Sequence, residues 1–327
     1  MKFLLTAINA KFIHSNPAIY SLRAGAGEKL QPYVELAEFT INESLESILE
    51  GIWKRQPKVI GFSCYIWNWK LIREILTELP KILPDTEIWL GGPEVTYDGP
   101  GLLREFPQVT GIMVGEGEVT FREVLEQYLR EAETAGQSEQ QPESDSTEHQ
   151  VADRRGTVAG KSMVERFGQI PGLCLASGYT APRDLTDLTT LPFLYEDMEP
   201  FTNRIIYYET SRGCPYRCSY CLSSIDKKVR LRDISVVKRE LQFFLDQNVK
   251  QVKFIDRTFN CDHKHAMEIW RYIYEHDNGV TNFHFEISAD ILREEEIALL
   301  NRFRPGLAQL EIGAVSYTHL TLPTIRL

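Results

Sequence analysis

The sequence predicts an α/β protein in two parts: an N-terminal doubly wound parallel sheet and, after a linker, a partial TIM-like barrel. Three observations predict it. Short apolar runs alternate with stretches of helical spacing in both halves of the chain, the rhythm of parallel strand–helix–strand units. Two early strand candidates end in glycines, at Gly91-Gly92 and Gly115-Glu116-Gly117, where open parallel sheets meet their ligands. In the second half, the first strand delivers Cys214, Cys218 and Cys221 at its carboxyl end, which is the active face of a barrel.

The elements follow in order. Lys2–Ile8 is an apolar run ending at Asn9 and reads as a buried strand. Val34–Ile41 is a second strand, and Asn42-Glu-Ser leads into a helix over 44–54. Lys58–Cys64 is a third strand, followed by helical spacing over Leu71–Leu83 that stops at Pro84. Glu87–Leu90 is a fourth strand, closed by Gly91-Gly92-Pro93-Glu94. Gly111–Val114 is a fifth, closed by Gly115-Glu116-Gly117-Glu118, with a helix from Thr120 to Arg130. These elements fill a domain over residues 1–130.

Residues 131–165 differ in kind. The run from Gln137 to Glu148 is polar and almost free of large apolar side chains. Such a run cannot bury enough surface to offset its ordering entropy, so a disordered insertion is expected. Residues 166–203 read as a hairpin over Gly168–Thr180, with Cys174 in the core, and then an extended linker carrying Pro192 and Pro200. Residues 204–313 supply strands at Arg204–Thr210, Gln251–Ile255, Asn282–Ile287 and Ala308–Ile312. Helices are expected between them at Ser235–Gln247, Asp262–His276 and Leu292–Phe303.

The run Glu209-Thr-Ser-Arg-Gly-Cys214-Pro-Tyr-Arg-Cys218-Ser-Tyr220-Cys221 carries the chemistry. Thiols at these gaps can converge on one metal centre. A four-iron cluster held by three cysteines keeps one iron open to a small molecule, whereas a structural site is closed. Structural zinc is the alternative, but it takes paired cysteines with a distant second pair, and Cys64, Cys174 and Cys261 are isolated. The run resembles the C-x3-C-x-(aromatic)-C signature of the radical S-adenosylmethionine (SAM) enzymes, with Tyr220 in the aromatic place. The resemblance implies a [4Fe-4S] cluster on Cys214, Cys218 and Cys221, with SAM bound at the open iron. It further implies reductive cleavage of SAM to methionine and a 5′-deoxyadenosyl radical. The electron would come from a donor such as flavodoxin or ferredoxin.

Gly91-Gly-Pro-Glu-Val-Thr and Val114-Gly-Glu-Gly-Glu-Val-Thr-Phe are similar to the fourth- and fifth-strand signatures of the cobalamin-binding domain. That domain precedes the radical core in one large radical SAM class. The likeness implies cobalamin at Gly91, Gly92, Gly115, Glu116 and Gly117, with Ser63 and Cys64 facing the corrin. Glycine lets a backbone approach a flat ligand closely; tight strand-to-helix turns are the other reading of the same residues. The dinucleotide fingerprint is absent after the first strand, which disfavours a nicotinamide cofactor. The Asp-x-His-x-x-Gly motif of cobalamin mutases is also absent. His14 occupies the corresponding loop at a different spacing, so no histidine is expected below the cobalt.

In the barrel, Asp256-Arg257-Thr258 stands where many radical SAM enzymes place Gly-Gly-Glu against the SAM amino group. The resemblance therefore implies Asp256 and Thr258 as SAM contacts, and Glu286 as a contact to ribose hydroxyls or substrate. A structural hydrogen bond at a strand end is the alternative for each. Residues 204–313 supply fewer strand–helix units than a complete core of this kind, so the barrel is expected to be incomplete. Residues 314–327 break the pattern, and Val315-Ser-Tyr-Thr-His-Leu320 resembles a translated transposon-end adapter; a non-native tail is expected there.

The net charge of −10 argues against a general polyanion binder. Met1–Ile8 is too short an apolar run for an export signal, and no run is long enough to span a bilayer, so no membrane partner is expected. Few cysteines and an oxygen-sensitive cluster point to a reducing cytoplasmic setting. The resemblances imply cobalamin-dependent methyl transfer to an unactivated carbon of a small-molecule, peptide or RNA substrate. Two other readings stay open. An RNA methylthiotransferase would carry a second cysteine triad in the N-terminal domain, where Cys64 stands alone. A non-catalytic cobalamin or iron–sulfur sensor would bind the cofactors without cleaving SAM.

Overall fold

The computed structural model describes residues 2–138, 162–219, 221–226 and 228–312. They fall into two units. The first reaches Thr186 and takes in Leu191–Asp197; the second holds Asp187–Thr190 and resumes at Met198.

In the first unit, strands β1 (Phe3–Asn9), β2 (Val34–Thr40), β3 (Val59–Ser63), β4 (Glu87–Gly91) and β5 (Val109–Met113) pair in parallel, in the order β2-β1-β3-β4-β5. Helices α1 (Pro17–Gly25), α2 (Leu45–Trp53), α3 (Trp69–Ile82), α4 (Gly99–Glu105) and α5 (Gly117–Ser138) connect and flank them. Every residue of β1 is buried because both faces of the sheet are covered. Leu4 and Ile8 join a core with Ile48 of α2, Ile75 and Leu76 of α3 and Leu103 of α4. Phe3, Leu5 and Ala7 join the opposite core with Ile19 of α1 and Phe121 and Leu125 of α5. The expected doubly wound sheet is thus present, with its switch point between β1 and β3.

Two short helices, α1 and α4, escape the sequence reading, because neither is long enough to show a full apolar period. Each is set by its cap instead: the Asn16 side chain accepts from Ile19 N–H ahead of Pro17, and that of Asp98 accepts from Gly101 N–H.

The expected disordered insertion needs correcting at both ends. Helix α5 runs on to Ser138, because Arg130-Glu131-Ala132-Glu133-Thr134-Ala135 is rich in helix formers and extends an already packed helix. At the other end, Ser162 and Glu165 form a capping box that opens α6 (Met163–Phe167). Residues 139–161 lie outside the described residues, as do residues 313–327 and the tail expected there.

The hairpin β6 (Leu173–Leu175) and β7 (Gly178–Tyr179) adds antiparallel to β5, with Cys174 opposite Ile112 in the core. It therefore belongs to the first sheet. Arg166 of α6 fixes this return. Its buried guanidinium spans Glu87 on β4 and Glu131 on α5 at 2.9–3.2 Å.

The second unit contains β8 (Ile206–Tyr208), β9 (Ser211–Arg212), β10 (Arg230–Leu231), α7 (Ile234–Asp246), β11 (Gln251–Phe254), α8 (His263–Glu275), β12 (Asn282–Ile287), α9 (Glu294–Leu300) and β13 (Ala308–Ile312). Strands β8, β11, β12 and β13 pair in parallel and in chain order, which is the progression of a βα barrel. The strand expected over 204–210 is shorter, and β9 just beyond it pairs antiparallel with β10. Alternation along β12 separates two faces. Phe283 and Phe285 pack with Phe254, Phe259 and Trp270 in an aromatic core. His284 and Glu286 lie on the opposite, polar face with Lys253 and Glu311. Among the described residues, no helix is long and apolar enough to cross a membrane.

Candidate active site at the strand carboxyl ends

The cysteines lie on the loop from Gly213 to Val229, and the ribbon β9–β10 closes it at the base. Its entry is held by Asp256, just beyond β11. The Asp256 carboxylate is buried and accepts from Thr210 N–H (3.0 Å), the Thr210 hydroxyl (2.5 Å) and the Ser211 hydroxyl (2.7 Å). Burial pushes this carboxyl above its usual range, against the pull of those hydrogen bonds. Its exit is held by Arg232, whose backbone N–H donates to Thr210 O (2.8 Å). The Arg232 guanidinium pairs with Glu240 of α7 at 2.8 Å, and Glu240 also accepts from Tyr208 of β8 at 2.7 Å. Both ends of an irregular loop are thereby tied to the rigid sheet.

Within the loop, Cys214 N–H donates to Asp226 O (3.2 Å) and Cys221 N–H to Cys218 O (3.1 Å). None of the three forms a disulfide; Cys214 and Cys218 are half-buried and Cys221 is exposed. Among the described residues no group of three or more His, Cys, Asp or Glu side chains stands close enough to hold a metal ion. Three cysteines outside any disulfide and reached by solvent, on one anchored loop, fit a cluster with an open iron. Tyr220 lies outside the described residues.

Other predicted residues fall in distinct places. Asp256, expected to face SAM, has both oxygens engaged by Thr210 and Ser211 and so anchors the loop. Thr258 sits directly under the loop, its hydroxyl 3.7 Å from Cys214 Sγ. Its backbone is left-handed (φ 53°, ψ 63°), which costs a β-branched residue about 1–2 kcal/mol. Glu286 accepts from Arg257 at 3.1 Å on the polar face of the sheet. Arg212 pairs with Glu209 at 2.8 Å. The strand ends also meet one another: Asn260 exchanges two 2.9 Å hydrogen bonds with the Ser288 backbone after β12, and the Tyr216 hydroxyl lies 3.4 Å from Ser288 Oγ. Cys261, isolated in sequence, is half-buried, and mainly through burial its thiol is pushed up to about 11.

In the first unit the loops after β1 and β3 flank the switch point. Asn68 ties them together, donating to Ile8 O (3.0 Å) and Ser63 O (2.9 Å) and accepting from Tyr65 N–H (2.8 Å). Glu38 of β2 holds the loop after β1 through Asn9, Asn16 N–H and Tyr20. Ser63 Oγ accepts from Asn16 at 3.2 Å. Cys64 is buried in the core and faces no ligand surface.

Gly92 (φ 107°) packs on backbone, since a Cβ there would lie 2.5 Å from Cys64 O. Gly115 (φ 83°) faces open space, with nothing within 4 Å of such a Cβ. A Cβ at Gly117 would meet Leu22 of α1, and Glu116 accepts from Thr186 N–H. Gly91 makes ordinary contact with Met113. Large apolar side chains stand exposed on loops at these strand ends: Phe12 (65%), Ile13, Ile66 (81%), Trp67 and Tyr97. Trp67 stacks on Tyr65 at 4.4 Å. So much exposed apolar surface beside an open glycine fits a large flat ligand. Glu38, Asn16 and Asn68 escape the sequence reading; single polar residues next to apolar runs were the available signal.

Comparison with known proteins agrees with this geometry. Residues 4–125 match the B12 binding domain, and residues 208–325 match the Radical SAM superfamily. A 2-(S-pantetheinyl)-carbapenam-3-carboxylate methyltransferase of Streptantibioticus cattleyicolor is 27% identical over 248 residues, covering 72% of this chain and 32% of that protein. An uncharacterized methyltransferase of Pyrococcus horikoshii is 27% identical over 229 residues, covering 69% of this chain and 45% of that protein. The chain thus spans less than half the length of these relatives. The fold is similar to that of the radical SAM methyltransferase TsrM from Kitasatospora setae, with a TM-score of 0.64 at 17% identity over 96% of this chain and 59% of that one. The Radical SAM domain implies a [4Fe-4S] cluster and SAM, and the B12 binding domain implies cobalamin. With both domains matched in this order, the chain belongs to the cobalamin-binding radical SAM proteins.

Proposed function

We propose that this protein is a cytoplasmic cobalamin-dependent radical SAM methyltransferase that methylates an unactivated carbon of a small-molecule, peptide or RNA substrate. The observation that carries the reading is the Cys214–Cys218–Cys221 loop, anchored at both ends over the carboxyl ends of a parallel sheet, in a chain that also holds a B12 binding domain. The methyltransferase relatives support the choice of reaction.

Cys214, Cys218 and Cys221 hold the cluster, with Tyr220 in the aromatic place of their motif. When bound, the cluster supplies the electron that cleaves SAM to methionine and a 5′-deoxyadenosyl radical, and cobalamin supplies the methyl group. The chain's own residues position and shield these groups. Asp256 and the Arg232–Glu240 pair fix the loop's root. Thr258 and the Glu286–Arg257 pair line the approach to SAM and substrate. Gly115 and the exposed Phe12, Ile66 and Trp67 form the surface for the corrin, and Ser63, Gly91 and Gly92 shape the strand ends around it. A one-electron donor such as flavodoxin or ferredoxin reduces the cluster.

The test uses the full chain, purified without oxygen and reconstituted with iron, sulfide and hydroxocobalamin. Iron, sulfide and cobalt are counted, and 5′-deoxyadenosine is followed under a low-potential reductant. The expected result is one cluster and one cobalt per chain, with deoxyadenosine formed from SAM. Cys218→Ala should lose the cluster and keep the cobalt. A cluster without cobalt discards the cobalamin assignment. No cluster in the unaltered protein overturns the reading.

A further inference from the structure

Four described non-glycine residues have positive φ: Gln56, Asn203, Asn248 and Thr258. Amide side chains tolerate that backbone, but a β-branched side chain resists it. Thr258 is held there from every side. Ile255 N–H donates to Tyr208 O at 2.9 Å, and Asp256 is locked to Thr210 and Ser211. Phe259 is buried in the aromatic core, and Cys261 N–H donates to Thr258 O at 2.9 Å. The consequence is that the Thr258 hydroxyl stands 3.7 Å from Cys214 Sγ. Glycine or asparagine would take the same backbone more easily, but glycine would bring no hydroxyl. Strain retained at such a point signals a local function.

We propose that Thr258 donates its hydroxyl hydrogen to the Cys214 sulfur and thereby sets the reduction potential of the cluster. The inference rests on Cys214 being a cluster ligand, as proposed above. A metal-bound thiolate has no proton to give, so in the loaded protein the hydrogen bond runs from Thr258 to sulfur. Reduction adds one electron, supplied in the experiment by dithionite, to a centre already carrying thiolate charge. A donor at the sulfur stabilises the added charge and raises the potential. Thr258 is a positioning and tuning residue in this account; it need not touch SAM.

The test is a redox titration of the reconstituted cluster in the full chain without SAM, monitored by EPR of the reduced state, with iron counted per chain. Thr258→Val keeps the branched shape and removes the hydroxyl; Thr258→Ser keeps the hydroxyl. The expected result is full iron in both, a more negative potential for valine and an unaltered one for serine. Thr258→Gly removes the hydroxyl and relieves the backbone strain, so it covers the case in which valine does not fold. It should titrate at a more negative potential than the unaltered protein. An unaltered potential in Thr258→Gly or Thr258→Val overturns the proposal, as does a serine shift equal to the valine shift. Absence of a cluster from the unaltered protein would instead mark failure of the assignment of Cys214.

Discussion

Replacing Asp256 by alanine removes the acceptor that holds the entry of the cysteine loop. Three hydrogen bonds of 2.5–3.0 Å end on its carboxylate. Each bond to a charged acceptor contributes about 1.5–3 kcal/mol, and the donors left behind at Thr210 and Ser211 are buried. Against this stands the cost of burying the carboxylate itself, visible in its raised pKa. The net loss is about 3 kcal/mol for Asp256→Ala, and about half that for Asp256→Asn, which keeps one acceptor oxygen. Hydrogen exchange reads the effect locally: the Thr210 amide should exchange roughly 150-fold faster in the alanine variant. Iron retained after reconstitution should fall with it, because the loop's base is released. The pH dependence has a definite sign. The folded protein holds this proton more tightly than the unfolded chain, so the proton-linked part of the stability, separate from the three hydrogen bonds, is fully present below the unfolded pKa. It is lost as pH rises through the folded value, and Asp256→Asn should remove that part of the slope. Thr210 exchange within threefold of the unaltered protein, together with full iron content, would refute the anchoring argument.

Other outcomes follow from the first unit. Arg166→Met leaves Glu87 and Glu131 facing each other without the guanidinium that joins them, and should cost about 3–5 kcal/mol in urea unfolding. Adding Glu87→Gln and Glu131→Gln should recover much of that loss; no recovery would mean that packing of the arginine on Phe167 and Tyr128 carries the effect. Gly92→Ala drives a methyl onto Cys64 O and should cost about 2 kcal/mol or more, whatever the ligand. Gly115→Ala meets no protein atom, so its backbone strain of about 1 kcal/mol should be small beside a clear loss of hydroxocobalamin affinity. Equal cobalamin binding in Gly115→Ala would remove that glycine from the ligand surface.

The parts of this protein legible in its sequence are those whose signal is local. The cysteine spacing, the glycine turns after β4 and β5 and the apolar runs of the strands each lie within a few residues of themselves. The parts that hold the site together are not local. Asp256 is 46 positions from Thr210, Asn16 is 47 from Ser63 and Asn68 is 60 from Ile8. Periodicity has nothing to say about such pairs, which is why the sequence leaves Asp256 open between a SAM contact and a structural hydrogen bond, and the fold shows the anchoring bonds. The same limit explains the misplaced boundary at Arg130. A polar run shows that little apolar surface can be buried, but it does not show that a packed helix ends there, and α5 continues because helix propensity and an existing nucleus suffice. Both cases share a cause and suggest a rule. A lone polar residue just beyond an apolar strand run, such as Asn9, Asn68 or Asp256, is a candidate anchor for a functional loop before it is a candidate ligand. The burial cost of its side chain is offset only by several donors or acceptors, and those come most readily from the backbone of the neighbouring strand end. Thr258 extends the rule: when the anchors force a residue into an unfavourable backbone, what that residue then presents is where the chemistry should be sought.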